Sequence, residues 1–127
     1  MDDSIVRGNT SREIVRMLKD FGAKEVYFAV ACPPVKSPCF YGVDMPTKNE
    51  LIAGNMSEDE IQEYLNVDAL LYQSVDDLVE AVTRRGDHHI DTPCMACLDG
   101  NYVGNDIDDA KIAEMETMRV NDRNGNG

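Results

Sequence analysis

Near its amino terminus the chain reads DDSIVRGNTSREIV, and the residue types there suggest two chemistries side by side. Gly8 lets the backbone pass close to an anion. A helix beginning just beyond it offers unpaired N–H groups and the positive end of its dipole to a phosphate. The hydroxyls of Thr10 and Ser11 add donors. Asp2 and Asp3 would repel that phosphate if they lay beside it, so a sugar between the two ends satisfies both. The carboxylates then accept hydrogen bonds from ribose hydroxyls, and magnesium can be drawn to the acidic end through water or a pyrophosphate. The plainer alternative is a capped helix behind an acidic loop, since short phosphate motifs have many look-alikes.

The four cysteines are the second reactive set. Cys94 and Cys97 form a C-x-x-C pair, while Cys32 and Cys39 flank a proline-rich loop. Such a pattern points to metal, redox work or buried thiols rather than to disulfide staples. Cys32 follows an apolar run and reads as a buried, inert thiol. A zinc site from Cys39, Cys94 and Cys97 with Cys32 or a histidine is chemically open, and so is an unmetallated set. His88 and His89 lie among Asp87 and Asp91 with no fixed partner and receive no catalytic role. DGNYVGNDIDDA has Val103 and Ala110 where a calcium loop beginning at Asp99 needs oxygen ligands, which excludes that reading.

The elements that position these groups follow from periodicity and caps. Residues 10–21 read as a helix with Ile14, Leu18 and Phe21 on one apolar face, a Thr10–Glu13 capping box and Gly22 as its stop. VYFAVA, residues 26–31, reads as a buried parallel strand. The three prolines of CPPVKSPCFYGVDMP within residues 32–40 enforce a loop. Thr47 with Glu50 and Ser57 with Glu60 open short helices around KNELIA and EDEIQEYL. ALLYQ reads as a second buried strand, and Ser74 with Asp77 starts VDDLVEAVTRR, whose Val75, Leu78, Val79 and Val82 form an apolar face. Helix, strand, helices, strand, helix is the order of a parallel α/β sheet. Residues 1–86 form that part, residues 87–120 an irregular extension ending in one helix, and residues 121–127 a disordered tail.

A chain of 127 residues with 43% hydrophobic residues supports one domain with a real core. Its net charge of −12 argues against nucleic acid and against anionic membranes. No apolar run approaches the ~20 residues of a membrane span, and no secretory signal precedes the turn. The expected setting is cytoplasmic.

DDSIVRGNTS closely resembles the end of the phosphoribosyl-pyrophosphate motif of type I phosphoribosyltransferases. The likeness continues through AKEVYFAVACPPVKSPCFYGVDMPTKNELIA and ALLYQSVDDLVEAV, over about residues 2–103. It narrows to the glutamine phosphoribosylpyrophosphate amidotransferase (amidophosphoribosyltransferase) family. The resemblance implies the C-terminal portion of a Rossmann-like phosphoribosyltransferase fold. It also implies that Asp2 and Asp3 contact ribose hydroxyls, with Val6, Arg7, Gly8, Asn9 and Thr10 wrapping the 5-phosphate, largely through backbone N–H groups. The family reaction makes 5-phosphoribosylamine from phosphoribosyl pyrophosphate and glutamine, with Mg2+, in an enzyme that is a homo-oligomer. One branch carries a [4Fe–4S] cluster, and Cys39, Cys94 and Cys97 match three of its four ligands; the fourth lies upstream of Met1. On this likeness the chain is a C-terminal fragment starting at the last turn of an active site, inactive alone, with an exposed sheet edge and exposed apolar helix faces. Two other readings stand beside it: a phosphoribosyl-binding or regulatory module without catalysis, and a metal-stabilised interaction domain.

Overall fold

In the computed structural model, which describes residues 1–84, 90, 92–104 and 107–125, two short parallel strands carry the fold. β1 (Tyr27–Val30) pairs with β2 (Ala69–Tyr72) in the register Tyr27↔Ala69 to Val30↔Tyr72. Parallel neighbours need a crossover, and here it holds the proline loop, a 3₁₀ turn (Lys48–Glu50) and the helices α2 (Ile52–Asn55) and α3 (Glu58–Leu65). Before β1 comes α1 (Asn9–Asp20), and after β2 come α4 (Val75–Thr83), α5 (Ala96–Asp99) and α6 (Asp109–Gly125). The first residues lie along β1 on the edge opposite β2. Asp2 bridges Val30 in parallel, its N–H donating to the Ala29 carbonyl at 2.9 Å while Ala31 N–H donates to the Asp2 carbonyl at 3.0 Å. Among the described residues nothing else pairs with that edge.

The core has two parts. In the larger, Phe28 and Val30 meet Ile5, Val15 of α1 and Ile61 and Leu65 of α3, with Tyr64, Leu70 and Tyr72 against them. In the smaller, Val35 and Leu51 bury Leu98 of α5, with Val6, Cys32, Val75, Leu78 and Cys97 around them. The C-x-x-C segment is thus more than a surface wrap: Ala96 and Leu98 are buried, and the Cys97 carbonyl accepts N–H groups from Lys36 and Ser37.

Several local expectations change. The strands are parallel but open on one face, where Tyr27 is 63% and Leu71 57% exposed. Helix α1 buries Ser11 and Val15, and its apolar stripe is the exposed helix face expected: Ile14, Met17 and Leu18 are exposed and Phe21 is 88% exposed. Its N-cap is Gly8 rather than Thr10, so Thr10 lies inside the first turn and the Thr10–Glu13 box is not made. Glu13 instead pairs with Arg16 at 2.8 Å. KNELIA divides into the 3₁₀ turn and α2 because Leu51, fully buried, is extended and Ile52 N–H donates to the Val6 carbonyl rather than back along a helix. The boxes at Thr47–Glu50 and Ser57–Glu60 are both formed, and Ser74 caps α4 by accepting from Asp77 N–H.

In place of a tail disordered from residue 121, α6 runs through Gly125. Extending a formed helix is far easier than starting one, and α6 is anchored from inside. Glu116 accepts the Lys48 N–H at 2.5 Å, and Arg119 donates to the Cys39 carbonyl at 2.6 Å and stacks over Phe40. No helix among the described residues is long and apolar enough to cross a membrane.

Candidate functional site

All seven residues that the resemblance assigns to sugar and phosphate line one concavity of about 400 Å³: Asp2, Asp3, Val6, Arg7, Gly8, Asn9 and Thr10. Ser4 and Ser11 complete it. The concavity sits at the carboxyl end of β1, where the chain leaves its bridge to Val30 and turns into α1.

Each side of it has a physical cause. Gly8 stands at the N-cap of α1 with φ 77° and ψ −8°, a left-handed conformation that suits glycine. No side chain caps the helix and its first turn holds no acidic residue. Arg12 N–H makes the first return bond, to the Gly8 carbonyl at 2.9 Å, so the preceding N–H groups have no partner within the helix. At the other end the two aspartates order their own backbone: Asp2 Oδ1 accepts Asp3 N–H at 3.0 Å and Asp3 Oδ1 accepts Ser4 N–H at 2.8 Å. Each keeps a second carboxylate oxygen, and Ser11 Oγ approaches that of Asp2 at 3.5 Å.

Residues from distant sequence hold this turn from behind, and local patterns do not announce them. Arg7 Nη2 donates to Glu50 Oε1 at 2.7 Å, while Glu50 Oε2 accepts the N–H and hydroxyl of Thr47, each at 2.9 Å. The bonds from Thr47 push the Glu50 carboxyl down to about 2; burial opposes them, and the Arg7 guanidinium adds a lesser downward pull. Tyr64 of α3 reaches Asn9 Oδ1 with its hydroxyl at 3.2 Å and lies under the Arg12 guanidinium. The sequence marks Glu50 only as a capping-box partner and Tyr64 only as part of a helix.

A carboxyl held low in the folded state stabilises the fold above its ordinary value, and that stability is lost as the pH falls. Wild type is expected to exceed Glu50→Gln in stability at pH 6, with the gap shrinking below 4.5 and closing near 2. Urea unfolding at fixed pH measures this. A gap that stays constant across the range would count against the Glu50 bonds.

The four cysteines are free thiols; Cys32, Cys39 and Cys97 are half-buried and Cys94 is exposed. Burial, then the charges of Cys32 and Cys39, push the Cys97 thiol up, and burial followed by Asp3 does the same to Cys32. Sulfur donors are right in kind for zinc or an iron–sulfur cluster. Their spacing is not: among the described residues no three His, Cys, Asp or Glu side chains are placed to hold a metal ion. Cys39, Cys94 and Cys97 would have to close in on one another to do so. His88 and His89 lie outside the described residues. Thiolates rather than thiols alkylate, so iodoacetamide at neutral pH is expected to label Cys94 well before Cys32 and Cys97. Peptide mass spectrometry reads the order, and equal labelling of Cys97 would mean that α5 is not seated as described.

Comparison with known proteins places these observations in a wider setting. No family model matches the chain. The amidophosphoribosyltransferase of Methanocaldococcus jannaschii is 49% identical over 102 residues, which is 80% of this chain and 20% of that protein. That of Methanothermobacter thermautotrophicus is 44% identical over 120 residues, 94% of this chain and 24% of its own length. Among solved structures, one described as the allosteric regulatory enzyme of purine biosynthesis aligns with a TM-score of 0.75 at 42% identity, covering 91% of this chain and 25% of that one. The glutamine phosphoribosylpyrophosphate amidotransferase of B. subtilis, complexed with ADP and GMP, gives 0.73 at 43% identity over 86% of this chain and 24% of that one. The chain therefore spans about a fifth to a quarter of the length of the relatives it matches.

Proposed function

Because the chain belongs to the amidophosphoribosyltransferase family, we propose that its first turn is the ribose-phosphate half of a site that converts phosphoribosyl pyrophosphate and glutamine to 5-phosphoribosylamine, the first step of purine biosynthesis. The observation that carries this reading is the single concavity with two carboxylates at one end and an uncapped helix start at the other. Asp2 and Asp3 accept the ribose hydroxyls. The backbone N–H groups from Val6 to Thr10 surround the 5-phosphate, with the Thr10 hydroxyl as a further donor.

Held at both ends, the sugar presents its anomeric carbon in a fixed orientation. Departure of pyrophosphate leaves an oxocarbenium-like centre that ammonia attacks, so no covalent nucleophile is needed and positioning supplies much of the rate. Mg2+ belongs with the pyrophosphate, near the acidic end. In this reading the full-length enzyme is cytoplasmic and a homo-oligomer, and phosphoribosyl nucleotides compete for the same turn. Since the chain matches only a fifth to a quarter of its relatives, it is expected to bind ribose phosphate without turning over substrate.

Isothermal titration with ribose 5-phosphate tests the proposal. Saturable binding is expected in wild type and loss of most of it in Asp2→Asn/Asp3→Asn. Absence of binding by wild type would overturn the reading. Steady pyrophosphate release from phosphoribosyl pyrophosphate, Mg2+ and ammonia would overturn the expectation that the chain is inactive alone.

A further inference from the structure

We propose that Glu50 is a positioning residue for the phosphate loop, acting through Arg7 and never touching the ligand itself. This rests on the reading of the turn as a ribose-phosphate site. Arg7 lies in the loop, yet its guanidinium donates to Glu50, which is itself held by two bonds from Thr47. The backbone carries a second tie a residue earlier, from Ile52 N–H to the Val6 carbonyl at 2.9 Å. Loop residues 6 and 7 are therefore fastened, by main chain and by side chain, to residues 47–52. Behind Gly8 the side chains of Ile52 and Tyr64 leave so little room that an added Cβ would stand 2.8 Å from one and 3.3 Å from the other.

The pair is too exposed to matter as a simple ion pair. Its side chains are 47% and 36% exposed, and such surface bridges add little to stability. Its position gives it a different importance. A phosphate held by backbone N–H groups needs those groups already aimed, and any freedom left in the loop must be lost on binding. Arg7 also carries the cation closest in sequence to Gly8. Tied to Glu50, it steadies the loop from the rear and leaves the contact with phosphate to the main chain.

The test uses the 127-residue chain with Glu50→Gln, Arg7→Met and the double variant, titrated with ribose 5-phosphate. Glu50→Gln is expected to weaken binding by roughly threefold to tenfold, and to add no further loss in the Arg7→Met background. Without ligand, amide exchange across residues 6–10 should speed up in both single variants by a larger factor than that of β1, which follows global stability. A purely structural contribution would instead speed both by the same factor. Wild-type affinity and loop exchange in Glu50→Gln overturn the inference, as does a full additional loss in the double variant. Arg7→Met leaves the Thr47–Glu50 box intact and keeps the test open should Glu50→Gln fold poorly. The exchange measurement needs no ligand, so wild-type failure to bind ribose 5-phosphate would sink the functional reading while leaving the brace itself to be judged.

Discussion

Gly8→Ala is expected to reduce affinity for ribose 5-phosphate by about thirtyfold or more and to lower the unfolding temperature. Two costs act on the same atom. At φ 77° an L-residue with a Cβ loses about 1–2 kcal/mol relative to its preferred backbone. The Cβ would also stand 2.8 Å from Ile52 Cδ1 and 3.3 Å from Tyr64 Cε1. Overpacking of this kind costs roughly 1–3 kcal/mol. Ile52 can yield at the end of its side chain, but Tyr64 is held by Asn9 and by the Arg12 guanidinium stacked on its ring. The loop is therefore the part that moves, and about 2 kcal/mol of misalignment corresponds to that thirtyfold. Calorimetric affinity within threefold of wild type would show that the main-chain turn is not what grips the phosphate.

The second large effect concerns the floor beneath the site. Leu65→Ala is expected to cost about 2–5 kcal/mol, measured as a lowered urea midpoint with little change in slope. Leu65 is 0% exposed, and it lies in the cluster with Ile61, Val15, Phe28 and Val30, where α3 meets both α1 and the inner face of the sheet. Total stabilities of about 5–15 kcal/mol make this a substantial share for a chain of 127 residues. Because α3 also carries Tyr64, the variant should lose ligand affinity in proportion to the fraction unfolded and not beyond it. A loss below about 1 kcal/mol would mean that the cluster closes over the gap or is less tightly packed than it looks.

What could be read in the sequence was what depends on near neighbours. Capping boxes at Thr47–Glu50 and Ser57–Glu60 are four-residue patterns, and both are formed. The turn from Asp2 to Thr10 is also local, and its residues do share one concavity. Thr10 was harder, because a hydroxyl followed by a glutamate three residues on fits a cap or a first turn equally well. Gly8 decided between them by taking the left-handed conformation two residues earlier.

Periodicity told a more limited truth about α1. Ile14, Leu18 and Phe21 do share a face, but a stripe of apolar residues records only that the face would gain from burial. It does not record whether the covering surface lies within these 127 residues, and in this structure the face is exposed. Long-range pairs left no mark at all. Nothing near Arg7 points to Glu50, 43 residues away, and nothing near Lys48 points to Glu116, 68 residues further on. Those contacts arise only when the sheet and the proline loop bring distant segments to one place.

The link from Glu116 through the 3₁₀ turn to Arg7 also sets an order in time. A chain is made from its amino end, so the turn of residues 2–10 emerges before its brace at Glu50, 43 residues from Arg7. Lys48 N–H, in the 3₁₀ turn that carries Glu50, donates to a carboxylate of α6 that comes later still. Closing such long loops costs only slowly more entropy as they lengthen, but contacts between distant residues are slow to form. A growing chain halted short of residue 50 would carry its sugar-phosphate residues complete in sequence and only loosely held. The turn that grips the ligand is thus made before the segment that steadies it.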